Sequence, residues 1–379
     1  MINRRICFVN GTSPMFNGGI GNYQKNLINY LKEGNLDITW LYKSDKYENY
    51  LKEGVKYFGL KCNKLPFIED ISFNIKARRY LNKNYFDVIN SHAIWGYWMK
   101  NYKIQNFQKL IHTYHGATYP YYKVHLRRFG IIKRILFSPL LLLGYLIEKP
   151  PIRNSDKIIC VSEKVKKQIE STYKKRKDIS VIRTGVDLKD FKPRDKNKSR
   201  KSIGLEKNKI YGLYIAKGGY WIKGLDRVVK ISEEIYKENK NYRLIVAGSD
   251  KNKVKNLIKR NFIIYKEQVS RKEVPFYYNS SDFFFCLSRY EGGAPTLVVS
   301  ESMASGCPII CSKDAEQEIL IENKNCIMIN NFDNKDAKKI IEIVNNKSKK
   351  QSIINNSIKA IKDISLEKWG RKYLEILVK

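Results

Sequence analysis

A chain of 379 residues with 72 Lys and Arg against 37 Asp and Glu, a formal charge of +35, has room for two or three domains. Its 43% hydrophobic and 12% aromatic content excludes a disordered polymer. Seven cysteines, at 7, 62, 160, 286, 307, 311 and 326, form no C-x-x-C and are odd in number, which excludes a disulfide framework and reads as buried thiols of a reducing compartment.

The chain begins MINRRICFVNG, directly in a strand pattern without an apolar leader, so secretion is not expected. A strand over 6–11 is followed by a helix over 21–32, with Tyr23, Leu27, Ile28 and Leu31 at helical spacing. The loop between them, NGGIGN at 17–22, is not a strict G-x-G-x-x-G; it reads equally as a tight turn with close helix–strand packing and as a loop that a ligand approaches. Further strands are predicted over 37–42, 55–59, 88–91, 110–114, 157–161 and 180–183, then 211–215, 242–247, 262–265, 283–287, 308–311 and 326–329. Their alternation with helical patterns argues for βαβ units and parallel sheets. The polar, basic stretch near 190–208 separates the two sets as a linker would.

All four histidines lie between 92 and 125, without the helical H-x-x-x-H pattern or acidic and Cys companions of a metal site. His115 follows the apolar strand LIHTY, which places it at the carboxyl end of a parallel strand, where open α/β sheets bind ligands. His112 reads as part of that strand and His92 as a residue of the site's rim. The segment 127–151 carries Arg127, Arg128, Lys133 and Arg134 ahead of an apolar run. That run, 135–147, is too short to span a bilayer, which needs roughly 20 residues, and Pro139 interrupts it. It reads either as a basic helix lying in an anionic membrane surface or as a buried helix. The overall charge has the same two sides. A Lys-, Ile- and Asn-rich composition is what an AT-rich genome produces, whereas runs such as KVKKQ and YKKRK suit an acidic partner. No nucleic-acid-binding motif is present, which favours membrane over nucleic acid.

In the second half, 210–231 is a strand, a glycine-bearing loop and a helix, with Lys217 and Lys223 bracketing the loop. They are either solvated surface lysines or the fixed cations that take up charge when a diphosphate departs. The segment SRYEGGAPTLVVSESMASGCP, 288–308, follows a short buried strand and leads into a helix. Loop N–H groups and a helix N-terminus make an anion site, and Glu291 and Glu301 on either side can serve sugar hydroxyls.

This segment resembles the donor-site signature of glycosyltransferase family 4, through Ser288, Glu291-Gly292, Glu301, the small-residue run 302–306 and Pro308. The family places its two glutamates eight positions apart, and here they are ten apart. Either the loop carries two extra residues or Gly293 stands at the first-glutamate position; the register of Ser288 with Glu291-Gly292 favours the insertion. The resemblance implies an α/β protein of the GT-B fold, two Rossmann-like doubly wound domains facing across a cleft. These would be an acceptor-side domain over 1–195, a nucleotide-sugar-binding domain over 205–360, and a final helix over 361–379 crossing back to the first. It implies a retaining transfer from a nucleotide-diphosphate sugar to a hydroxyl of a glycan or lipid-linked acceptor, in cell-surface polysaccharide or glycolipid synthesis, with no metal or other cofactor. His115 and Glu291 would meet the transferred sugar, with Gly18 and Gly19 near the donor. Lys217 and Lys223 would hold the diphosphate. Gly292, Gly293, Ala294, Pro295, Thr296 and Leu297 would line the phosphates and sugar, and Glu301 would hold the ribose. The expected setting is cytoplasmic, peripheral on the inner face of an anionic membrane, without nucleic acid. The alternatives are a nucleotide-sugar epimerase of the same fold, and a basic membrane- or nucleic-acid-binding protein with a degenerate site. The two glutamates and Lys223-Gly224 argue against degeneracy.

Overall fold

The computed structural model describes residues 4–16, 18–63, 65, 68–173, 178–217 and 219–378. It divides into two units, Met1–Arg183 with Trp369–Lys379, and Thr184–Lys368. The first unit holds strands β1 (Arg4–Val9), β2 (Leu36–Ser44), β3 (Glu48–Lys52), β4 (Val55–Lys61), β5 (Val88–His92), β6 (Lys109–Tyr114), β7 (Lys157–Cys160) and β8 (Asp178–Val181). They lie in the order β3-β4-β2-β1-β5-β6-β7-β8, and only β3 runs antiparallel to its neighbour. The second unit holds β9 (Ile210–Ile215), β10 (Tyr242–Ala247), β11 (Ile263–Lys266), β12 (Phe283–Cys286), β13 (Ile309–Cys311) and β14 (Ile327–Met328). This all-parallel sheet has the order β11-β10-β9-β12-β13-β14.

Parallel strands covered by helices on both faces are apolar on both faces. Ile6, Cys7, Phe8 and Val9 are accordingly all buried, as are Phe283, Phe284, Phe285 and Cys286. The parallel strands of each sheet reverse their order at one switch point, between β1 and β5 in the first and between β9 and β12 in the second. The loops leaving the carboxyl ends of strands at such a switch point are where doubly wound sheets bind ligands. Here those loops carry Gly18 and Gly19 after β1, Lys217 and Lys223 after β9, and Glu291 after β12, while His92 closes β5 itself.

Three segments differ from the reading of the sequence. Strand β3 was not anticipated. It pairs with β4 through a turn in which Glu53 and Gly54 both have positive φ, the geometry that matches strand twist in a two-residue hairpin, and Tyr50 stacks on Tyr57 across the pair. The stretch near 190–208 is not a loose linker. It contains a helix, Lys196–Ser202, capped by Asp195. Arg200 of that helix is buried, donates to Asp282 Oδ2 at 2.9 Å and to the Ser280 carbonyl at 3.0 Å, and lies over the Tyr211 ring. The segment 127–147 is not one helix but parts of two, Ile131–Phe137 and Pro139–Asn154. The first buries none of its residues, leaving Ile131, Ile132, Ile135 and Leu136 each at least 69% exposed. The second packs on the Thr118–Leu126 helix, where Gly144 meets Thr118 and Tyr122. Of the Lys-rich run at 173–177, residues 174–177 lie outside the described residues, as does Asn17 of the 17–22 loop.

The buried pair of Arg200 and Asp282 supports the second unit directly. Arg200→Ala should lower its stability by roughly 3 kcal/mol, the low end for breaking a buried pair, because Lys196 and Lys350 remain beside Asp282. Urea unfolding measures this, and a loss under about 1 kcal/mol would show that the lysines fully replace it.

Candidate active site

In the second unit the site is set by how closely two loops approach. Gly224, which precedes the Leu225–Glu238 helix, has φ +73, and a Cβ there would fall 2.0 Å from the Leu287 carbonyl oxygen. Only glycine lets the start of that helix lie against the end of β12. Its neighbour Lys223 thereby reaches Glu291, with Nζ 2.8 Å from Oε1. Glu291 is buried, whereas the Lys223 side chain stays 37% exposed. Lys217 is exposed just beyond the carboxyl end of β9.

The loop then turns at Gly293, whose φ of +79 is a left-handed conformation that glycine adopts without strain. Ala294 and Pro295 are buried behind it, and Thr296 is the N-cap of the Leu297–Ala304 helix. Glu301 lies inside that helix, nearly inaccessible, with Oε1 2.5 Å from Arg271 Nη1 and Oε2 accepting from the Tyr278 hydroxyl at 3.3 Å. Burial pushes the Glu301 carboxyl above its ordinary range, against the pull of Arg271 beside it.

Several supporting residues have no motif to mark them. Gln317 is buried and accepts the Thr296 N–H at 2.7 Å, and the Glu318 N–H bonds the Gly293 carbonyl at 2.8 Å, so a distant segment fixes the loop. Arg289 donates to both carboxylate oxygens of Asp226, at 2.7 and 2.5 Å, and lies over the Trp221 ring. It thus ties the loop after β12 to the loop after β9. Arg289 stands inside the 288–292 motif and could have been found there; Arg271 and Gln317 could not.

In the first unit, Gly18 caps and Gly19 opens the Gly19–Leu31 helix, and Gly19 is exposed. Tyr23 of this helix sets its ring edge-on to His115, with centroids 4.5 Å apart. His115 follows β6 and is partly exposed. His112 lies within the strand, as its pattern indicated, with Nδ1 2.7 Å from Ser91 Oγ. His92 is not at a rim: it is wholly buried, and its Nδ1 lies 3.0 Å from His115 Nε2. Tyr373 of the final helix bonds Asn90 Oδ1 at 3.1 Å and Thr113 Oγ1 at 2.5 Å, and Trp369 packs on Tyr23. Among the described residues no three His, Cys, Asp or Glu side chains converge as metal ligands, and all seven cysteines are buried free thiols.

Each unit is a doubly wound sheet with a glycine-bearing loop at its switch point, and in the second unit a cation on the loop after β9 pairs with a carboxylate on the loop after β12. Comparison with known proteins gives the family. The model of Glycosyltransferase Family 4 matches residues 17–190, and that of glycosyl transferases group 1 matches 195–360. The chain belongs to family 4 of the glycosyltransferases and is a transferase of the GT-B fold. An uncharacterised glycosyltransferase of Methanocaldococcus jannaschii is 26% identical over 366 residues, which cover 93% of this chain and 92% of that one. Sucrose-phosphate synthase from Thermosynechococcus elongatus superposes with a TM-score of 0.81 at 16% identity, covering 99% and 98% of the two chains. The Anabaena protein HepE, whose crystal structure is a complex with UDP-glucose, superposes with a TM-score of 0.74 at 14% identity, covering 99% of each chain.

The buried imidazoles make the first unit acid-sensitive. Burial pushes His115 from the ordinary 6.5 down to about 4, and His112 down to about 3. Below pH 6.5 the unfolded chain therefore binds protons that the folded chain refuses, and stability falls as pH drops from 6.5 towards 4. In His115→Gln the urea midpoint should decline less steeply over that window than in the parent. Parallel declines would mean that His115 protonates as readily folded as unfolded.

Proposed function

We propose that this glycosyltransferase moves a sugar from a nucleoside diphosphate donor to a hydroxyl of a glycan or lipid-linked acceptor, with retention of configuration. The observation that carries the proposal is the contact of Lys223 with Glu291, on the loop that leads into the Leu297–Ala304 helix, at the switch point of the second sheet. A cation and the N–H groups of a helix's first turn stabilise the charge that grows on a departing diphosphate. Glu291, beside that cation, accepts from hydroxyls of the sugar being moved. An ionised carboxylate accepts at about four lone-pair positions, so Glu301 can take a ribose hydroxyl while keeping Arg271 and Tyr278. Lys217 adds positive charge beyond β9. The binding of UDP-glucose by HepE, a protein of the same fold, supports this class of donor.

The bond from the sugar C1 to the leaving oxygen breaks, and a bond from C1 to the acceptor oxygen forms on the same face. The acceptor's proton passes to an oxygen of the departing diphosphate. No side chain then needs to act as nucleophile, and with fixed cations on the diphosphate no metal is needed. His115, in the first unit, contacts the transferred sugar.

The test is diphosphate release with and without acceptor, with the product's anomeric configuration read by NMR and a chelator added in parallel. Release should require acceptor, keep the donor's configuration and survive the chelator. Acceptor-independent conversion of the donor would instead indicate an epimerase. Lys223→Ala should cut turnover by roughly two to three powers of ten, the scale of one oxyanion donor. Glu301→Ala should abolish stabilisation by the nucleotide while the protein stays folded. Activity within about threefold of the parent for Lys223→Ala would return that residue to the surface lysines.

The acceptor's setting follows from the Ile131–Phe137 helix. No helix among the described residues is long and apolar enough to cross a membrane. This one instead exposes Ile131, Ile132, Ile135 and Leu136 beside Arg127, Arg128, Lys133 and Arg134. An exposed apolar row flanked by cations suits the headgroup boundary of an anionic membrane, where a lipid-linked acceptor would be presented. The full chain should sediment with vesicles containing anionic lipid. Ile131→Ser with Ile135→Ser should weaken that binding, and Gln at the four basic positions should remove its dependence on salt, since surface attraction is screened over about 8–10 Å. Turnover of a soluble acceptor should not change. Equal sedimentation of parent and variants, or none by either, would remove the membrane from the account.

A further inference from the structure

His92 and His115 stand at the carboxyl ends of β5 and β6, which are neighbours in the sheet. Their rings lie 25° apart in plane, and His92 Nδ1 is 3.0 Å from His115 Nε2. One proton occupies that contact, and it belongs to one ring or the other. His92 Nε2, on the far side of its ring, is buried and meets no hydrogen-bond partner. Were His115 to donate from Nε2, His92 would carry its own proton on Nε2, and an N–H would be stranded in the core. If His92 donates from Nδ1, what is stranded is a lone pair, and buried sites leave acceptors unpaired more readily than N–H donors. Protonation of both nitrogens is opposed by burial and by the neighbouring imidazoles, which hold His92 well below the usual imidazole range.

We propose that His92 is a positioning residue that donates from Nδ1 to Nε2 of His115, locking His115 in the tautomer protonated at Nδ1. Which imidazole nitrogen bears the proton is set by the bond the other one makes. His115 therefore offers the substrate an N–H and no basic nitrogen. It holds a sugar oxygen as a donor and does not remove the acceptor's proton. This consequence rests on the reading of His115 as a sugar contact.

The chain has only four histidines, so long-range proton–nitrogen correlation spectra of the full-length protein labelled with nitrogen-15 histidine can read each tautomer. The parent should show His92 and His115 both protonated at Nδ1. In His92→Phe the His115 pattern should shift towards Nε2 protonation, and turnover should fall roughly ten- to a hundredfold at nearly constant donor KM, the scale on which a functional histidine responds to loss of its orienting partner. His92→Asn, whose amide N–H can stand where Nδ1 stood, should restore both. The parent spectrum alone tests the assignment if His92→Phe does not fold. A parent spectrum with His115 protonated at Nε2, or a His92→Phe protein with tautomer and turnover unchanged, overturns the proposal. If the spectra are as expected and His115→Ala turns over donor at the parent rate, the sugar-contact reading fails and takes the catalytic consequence with it, while the tautomer assignment stands.

Discussion

The site in the second unit depends on one close approach, that of Gly224 to the carbonyl of Leu287. Any side chain at 224 would collide with the end of β12, because even a Cβ would fall 2.0 Å from that oxygen. The contact brings the loop after β9 against the loop after β12, and the remaining geometry follows from it. Lys223 meets Glu291, and Arg289 reaches back to Asp226 and Trp221. Gln317 closes the arrangement from below by taking the Thr296 N–H. Two loops are thus held together with a cation and a carboxylate paired between them, and fixed charges are what electrostatic preorganisation requires.

The first unit handles its polar groups differently. His92, His112, Asn90, Thr113 and Gln24 are all buried beneath the carboxyl ends of the central strands. A buried polar group is costly unless hydrogen-bonded, and most of these are linked: Ser91 with His112, His92 with His115, Asn90 with Thr113 and Tyr373, and Asn10 with Gln24. His92 Nε2 and His112 Nε2 are left over, buried without a hydrogen-bond partner. Such a network stores specificity in which nitrogen carries which proton, and it leaves His115 neutral and oriented.

Much of the architecture was legible because parallel strands covered on both faces appear as unbroken apolar runs, ICFV and FFFC being the clearest. Strand β3 escaped because its residues, Glu48 to Lys52, are largely exposed and belong to a hairpin edge, where no apolar run is required. The Lys196–Ser202 helix escaped because its anchor is a single buried arginine in a basic stretch, and composition registers the charge but not its partner. Among the candidate site residues, Lys223 and Glu291 could be picked out because each stands next to a glycine, and Glu301 because the small-residue run 302–306 follows it. Arg271 and Gln317 could not, because they meet Glu301 and Thr296 only through the fold, from positions 30 and 21 residues away. His92 was misplaced at a rim for a related reason. Period-two alternation cannot distinguish the last residue of a strand from the first of its loop, and here the ring folds under its neighbour.

The central claim is that the second unit holds a nucleoside diphosphate sugar, and thermal unfolding of the full chain against a panel of such sugars tests it most directly. A ligand that binds only the folded state stabilises it by about 2.7 kcal/mol at a hundred times its Kd. The account predicts that at least one nucleoside diphosphate sugar raises the Tm in a concentration-dependent manner, that the matching nucleoside diphosphate does so too, and that the free sugar does not. A Tm unmoved by every nucleoside diphosphate and every nucleotide sugar at millimolar concentration would contradict it.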